Sequence, residues 1–172
     1  MRIDAIPLRG AKIYLGHMPS AQKVFKYKDM VWYHDDMESL KDLDATHIFV
    51  LSTVDDLKKH SQQQLFQTYR ELGFKVMHFP IQDYGAPRDM EDFDFMVQKA
   101  YNLILGRQNI LVHCNAGLGR TGLFVCGILM KAGLSFHNAL TYARKFRVGL
   151  VEEPVQFNFL RRYEGFLNHG KN

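Results

Sequence analysis

Apolar positions along the chain fall into two rhythms. Short runs at Lys12–Leu15, His47–Leu51, Phe74–Pro80 and Ile110–His113 have the length and the β-branched or aromatic content of buried strands. Between them, apolar residues recur every three or four positions. That spacing predicts helices over Asp36–Leu43, Gln62–Leu72, Met90–Leu105 and Arg120–Ala132, then from Ser135 to about Phe146 and from Pro154 to about Asn168. Met90–Leu105 is the longest, with Phe93, Val97, Tyr101 and Ile104 on one stripe. Gly73 suits a left-handed helix end, Ser135 an N-cap and Pro154 a first helical position. The aromatic-rich segment Val24–Tyr33 fits neither rhythm, and an added strand at the sheet edge is one reading of it.

Strands separated by helices predict an α/β fold, a mostly parallel central sheet flanked by helices. In such sheets ligands bind beyond the carboxyl ends of the strands, which directs attention to the residues after Ile110–His113. A length of 172 residues with 47% hydrophobic composition suits one domain over residues 1–172.

Composition narrows the function without naming it. The net charge of +4 suits steering of anionic substrates and is too weak to argue for a nucleic-acid partner. Met1–Gly10 lacks the apolar core of a secretory signal, and Leu123–Met130, broken by Gly127, is too short to cross a bilayer. With no lipidation motif either, the expectation is a soluble cytoplasmic protein without a stable membrane anchor. Two cysteines do not make a disulfide framework, and Cys126, among Phe124, Val125 and Ile128, reads as core. The eight histidines show no metal spacing, and His34-Asp35-Asp36 reads as a helix start, so neither a metal nor another cofactor is expected.

The chemistry is concentrated in His113-Cys114-Asn115-Ala116-Gly117-Leu118-Gly119-Arg120-Thr121-Gly122. A strand, a glycine-bearing turn and a helix start converge backbone N–H groups on one point, which makes an anion site. A sulfur at its centre is favoured as thiolate, the nucleophilic form. Gly117, Gly119 and Gly122 are expected to let the backbone curl around an oxyanion. Arg120 can hold two phosphoryl oxygens with its planar fork, and the N–H groups of Asn115, Ala116, Gly117, Leu118, Gly119 and Arg120 supply further donors. Thr121 can donate to the sulfur, and His113 is placed to brace the loop. Together these residues suit attack on a phosphate ester.

Expelling the alcohol needs a proton donor near the leaving oxygen. Asp83, just past the strand Phe74–Pro80 in a loop closed by Gly85 and Pro87, precedes Cys114 by 31 residues. Asp92 or Asp94 is a second choice, although both fall where acidic residues complement a helix N-terminus.

His113–Gly122 resembles the signature of the cysteine-dependent protein tyrosine phosphatase superfamily: His-Cys, five residues, Arg, Ser or Thr, then Gly. The Pro-x-x-Asp-x-x-x-Pro setting of Asp83 resembles the acid loop of its small dual-specificity phosphatases. The resemblance implies a phosphocysteine intermediate formed on Cys114, with Asp83 first as acid and then as base. It also makes Gln156 a candidate for orienting the hydrolytic water, against a plain solvent-facing glutamine on the last helix. Arg144, Lys145 and Arg147 read equally as a basic rim or as a solvated helix end, while Arg88 and Tyr84 flank the acid loop. The implied substrate is a phosphorylated protein. The alternative is an inositol phosphate or phosphoinositide, against which the uncharged residues 115–119 weigh. A phosphate-binding scaffold without turnover would be expected to lack Cys114, Arg120 or the acid.

Overall fold

Ile110–Cys114 is apolar on both sides and buried at every position, and it occupies the middle of the sheet. The computed structural model describes residues 1–19 and 28–170, with backbone only for 28–34. The elements are β1 (Asp4–Leu8), β2 (Ala11–His17), α1 (Lys28–Lys41), β3 (His47–Val50), α2 (Val54–Lys59), α3 (Leu65–Glu71), β4 (Lys75–His78), α4 (Met90–Leu105), β5 (Ile110–Cys114), α5 (Gly119–Lys131), α6 (Phe136–Arg144) and α7 (Pro154–His169). The strand order is β1-β2-β5-β3-β4, with β1 antiparallel to β2 and every other pairing parallel. The mostly parallel, helix-flanked α/β sheet expected from the pattern is present.

Both faces of the sheet are covered, as the side-chain alternation of a strand requires. Ile13, Leu15, Phe49, Ile110 and Val112 point into one apolar cluster with α4–α7. Tyr14, Ile48, Val50 and Leu111 point into a second cluster with Met37, Leu40, Leu57, Leu65 and Tyr69. In the first cluster Phe93 meets Phe159 and Tyr163 edge to face at 5.0 and 4.9 Å between ring centres. Asp89 and Ser135 cap α4 and α6 through their side chains, and Pro154 stands at the first position of α7.

Three elements differ from the sequence expectation. β1 is a short edge strand with only Ile6 fully buried, and an edge tolerates the missing N–H of Pro7. Arg9 and Gly10 join it to β2 with φ of 54° and 82°, as a two-residue hairpin turn requires. From Lys28 the chain is already helical, so an edge strand through Tyr33 is not formed, and Val24–Tyr27 lies outside the described residues. α2, unforeseen, is set by a capping box in which Thr53 and Asp56 bond each other's backbone N–H.

α5 is buried along almost its whole length, so small residues decide how closely its neighbours approach. A Cβ on Gly122 would stand 2.5 Å from the Val151 backbone nitrogen, whereas one on Gly165 of α7 meets nothing within 4 Å. Gly122→Ala is therefore expected to lower stability by about 1–3 kcal/mol through overpacking. Gly165→Ala should raise it by roughly 0.5–1 kcal/mol through helix propensity. Urea unfolding midpoints of the two variants check this, and shifts of the same sign would contradict the packing.

Candidate active site

The chain leaves β5 at Cys114, turns through residues 115–118 and enters α5 at Gly119. The turn is held from both faces of the sheet. On one side Asn115 donates through Nδ2 to Asp56 Oδ1 at 2.9 Å and accepts from Ser52 Oγ at 2.8 Å. On the other, the buried Arg147 guanidinium donates to the carbonyls of Gly117, Leu15 and Arg2 and to Asp4 Oδ2. Gly117 has φ +74°, and a Cβ there would lie 2.2 Å from the Gly16 carbonyl oxygen. Only glycine fits. Gly119 and Gly122 have a further reason: a Cβ on Gly119 would crowd the Glu152 and Gln156 side chains, and one on Gly122 would crowd Leu150 and Val151.

Cys114 is 3% exposed, at the base of a cavity of about 280 Å³. Its Sγ accepts from the Gly117 N–H at 3.3 Å and from Thr121 Oγ1 at 3.2 Å. Beneath it, the wholly buried His113 places Nδ1 3.2 Å from the Cys114 carbonyl and Nε2 2.9 Å from the Tyr69 hydroxyl. A carbonyl only accepts, so the proton is assigned to Nδ1 and Tyr69 donates to Nε2. Burial first, then the charges of His17 and Arg120, push the imidazole down to about 4 against the Cys114 bond, so His113 is neutral.

Arg120, 2% exposed, is surrounded by acceptors. Nη1 donates to Asp56 Oδ2 at 2.7 Å and to the Ile81 carbonyl at 2.9 Å, and Nη2 donates to Asp83 Oδ1 at 2.7 Å. Asp56 also accepts from the Thr53 N–H and hydroxyl. Burial would raise its carboxyl, but the bonds from Arg120, Asn115 and Thr53 outweigh that and hold it at about 2.

Asp83, Asn115, Ala116, Gly119, Arg120 and Gln156 line the same cavity as Cys114, as does the exposed Tyr84. Gly117 reaches the sulfur through its N–H, while Leu118 caps α5 with its carbonyl turned to Gly122. Gln156 is buried, not solvent-facing: Oε1 accepts from the Glu152 and Glu153 N–H groups, and Nε2 donates to the Gly85 carbonyl at 3.1 Å. It thereby ties α7 to the Asp83 loop.

The basic rim is not formed. Arg147 braces the turn from behind, Arg144 donates to the Leu150 and Val151 carbonyls, and neither they nor Lys145 or Arg88 line the cavity. Asp94 bonds Lys131 and Tyr163, and Asp92 lies outside the cavity on α4. Cys126 is core, its thiol pushed up to about 12 by burial. Asp56, Lys59, His60 and Glu152 were not singled out by the sequence reading. The Thr53-x-x-Asp56 box marks a helix start, but nothing local signals that Asp56 meets Arg120.

The family model described as a polymorphic toxin system DSP-PTPase phosphatase matches residues 26–134, a span that holds Asp83, Cys114 and Arg120. A mouse protein named cyclin-dependent kinase inhibitor 3 is 31% identical over 130 residues, covering 74% of this chain and 61% of the mouse protein. Human tyrosine-protein phosphatase non-receptor type 2 is 29% identical over 145 residues, covering 74% of this chain and 34% of the human one. The chain thus spans less than two thirds of the length of either. Among solved structures, a kinase-associated phosphatase with serine in place of its catalytic-site cysteine superposes with a TM-score of 0.84 at 24% identity. That match covers 97% of this chain and 96% of the other and bears on the fold.

The Asp56–Arg120 contact makes a pH-dependent contribution to stability. Asp56→Asn, which leaves a buried guanidinium short of charge, should cost on the order of 3 kcal/mol at neutral pH. A carboxyl depressed from 3.8 to about 2 stabilises the fold above about pH 4 and loses that effect as pH falls through about 2. The gap between wild type and variant in denaturant unfolding should therefore shrink on acidification. A gap that stays constant from pH 7 to pH 2 would contradict the pairing.

Proposed function

Because the chain belongs to the dual-specificity phosphatases of the cysteine-dependent tyrosine phosphatase superfamily, we propose that it hydrolyses phosphoric monoesters of protein side chains through a phosphocysteine intermediate. What carries the reading is one arrangement: the Cys114 sulfur, hydrogen-bonded by Gly117 and Thr121, shares a cavity with a buried arginine and an acid.

In the proposed chemistry the substrate phosphoryl group enters over residues 115–120, and its oxygens take backbone N–H groups and the free edge of the Arg120 fork. Cys114 Sγ attacks phosphorus from the side opposite the ester oxygen. As the P–O bond breaks, Asp83, having left Arg120 and taken up a proton from solvent, gives that proton to the departing oxygen, so a neutral alcohol leaves. Asp83, now a carboxylate, takes a proton from a water that attacks the phosphocysteine. The S–P bond breaks with its electron pair returning to sulfur, which the Thr121 hydroxyl steadies. Gln156, fixed by three hydrogen bonds beside the Asp83 loop, keeps one Nε2 N–H to orient that water. His113 stays neutral throughout and positions the Cys114 carbonyl.

An inositol polyphosphate substrate is weighed against by the turn itself, whose residues 115–119 carry no charge. A scaffold that binds without turnover is weighed against by the presence of Cys114, Arg120 and Asp83 together. No helix among the described residues is long and apolar enough to cross a membrane.

Turnover of an aryl phosphate tests the reading. Cys114→Ser should reduce it to background while phosphate still binds, and undiminished turnover would remove the mechanism. Asp83→Asn should slow alkyl phosphates by about 10²–10⁴-fold and esters with acidic leaving groups far less. Equal small losses on both would assign the proton to another group.

A further inference from the structure

The mouth of the cavity carries two kinds of charge on two different walls. Lys59 and His60 stand at the C-terminal end of α2, and both line the cavity. Glu152 lines it from the segment before α7, with Oε2 2.9 Å from where a Cβ on Gly119 would be. The walls rise from opposite faces of the sheet, since Leu57 of α2 packs in one cluster and Phe159 and Leu160 of α7 in the other.

These charges have no structural duty. Among the described residues no salt bridge involves Lys59 or Glu152, whereas Lys58, Lys131, Arg120 and Arg147 all have carboxylate partners. Glu152 contributes only its backbone N–H to the Gln156 anchor. Both side chains are exposed, so neither owes its place to burial. Gln156 bonds the Glu152 N–H and the Gly85 carbonyl, so Glu152 and the Asp83 loop form one carboxylate-bearing wall facing the cationic one.

A ring bearing several phosphates would meet Glu152 and Asp83 with like charge on one side. An extended phosphopeptide behaves differently. Once its phosphorylated side chain is in the cavity, one flank leaves over Lys59 and His60 and the other over Glu152. We propose that Lys59, with His60, and Glu152 are specificity-determining residues that select phosphopeptides by charge polarity, an acidic flank on the α2 side and a basic flank on the α7 side. This rests on the phosphatase reading above and goes beyond it by naming the charges that flank the phosphorylated residue of the substrate.

Two phosphotyrosyl peptides of the same composition test it, one with Asp residues before and Lys residues after the phosphotyrosine, the other reversed. Their kcat/KM values should differ by about two- to fivefold per engaged charge, the size expected of exposed ion pairs. The difference should shrink in high salt. Lys59→Glu combined with Glu152→Lys should invert the ranking, and Lys59→Gln alone should narrow it. Equal rates for the two peptides, or a ranking unmoved by the double reversal in a variant that still unfolds cooperatively, would overturn the proposal. So would inositol hexakisphosphate competing better than the preferred peptide. Aryl phosphate turnover by the wild type is run alongside: its presence with no peptide ranking sinks only the polarity reading, whereas its absence sinks the phosphatase reading itself.

Discussion

A guanidinium taken out of water must be surrounded by acceptors, and Arg120 shows how the site is built around that demand. Of its five N–H donors, three are committed: two from Nη1 to Asp56 and Ile81, one from Nη2 to Asp83. The two carboxylate partners are not equivalent. Asp56 is almost enclosed and locked by Thr53 and Asn115, whereas Asp83 is 44% exposed in a loop. Asp56 is therefore the permanent counter-charge and Asp83 the exchangeable one. On the proposed chemistry an arriving phosphoryl group displaces Asp83 from Nη2, and the same event frees that carboxyl to turn toward the leaving oxygen.

The turn above Arg120 is stitched to the rest of the molecule by buried, hydrogen-bonded side chains. Arg147 gathers three carbonyls and Asp4, so it ties the first strands and the turn to the segment that follows α6. His113 does the same on the opposite side of Cys114, with neutral imidazole bridging a tyrosine of α3 and the Cys114 carbonyl. Such networks matter because an oxyanion site works only if its donors are already aimed before charge develops. The sulfur needs little beyond that: one amide and one hydroxyl, both on the rigid junction of β5 with α5.

What was legible in the chain was what is local. Cys114 and Arg120 lie six residues apart on one strand-turn-helix, so their pairing needs no tertiary knowledge, and α4 declared itself by a long stripe and an Asp cap. Asp56 lies 64 residues from Arg120 and Arg147 lies 143 from Asp4, and nothing in a helix-end run of basic residues tells a buried brace from a solvated face. Gln156 was obscure for the same reason, its partner Gly85 being 71 positions away. β1 and α2 escaped because each buries too few apolar residues to set a period; their signals were a turn glycine and a capping box. For Gly117 and Gly122 the constraint is again non-local, the close approach of the Gly16 and Val151 backbones.

The account depends on phosphorus becoming bonded to one sulfur. Asp83→Asn mixed with an aryl phosphate of good leaving group, quenched in acid within a turnover and digested, should yield a peptide heavier by one phosphoryl group, with the modification on Cys114 by fragmentation mass spectrometry. A phosphoryl group found on another residue, or turnover that proceeds without any labelled peptide and survives Cys114→Ser, would contradict it.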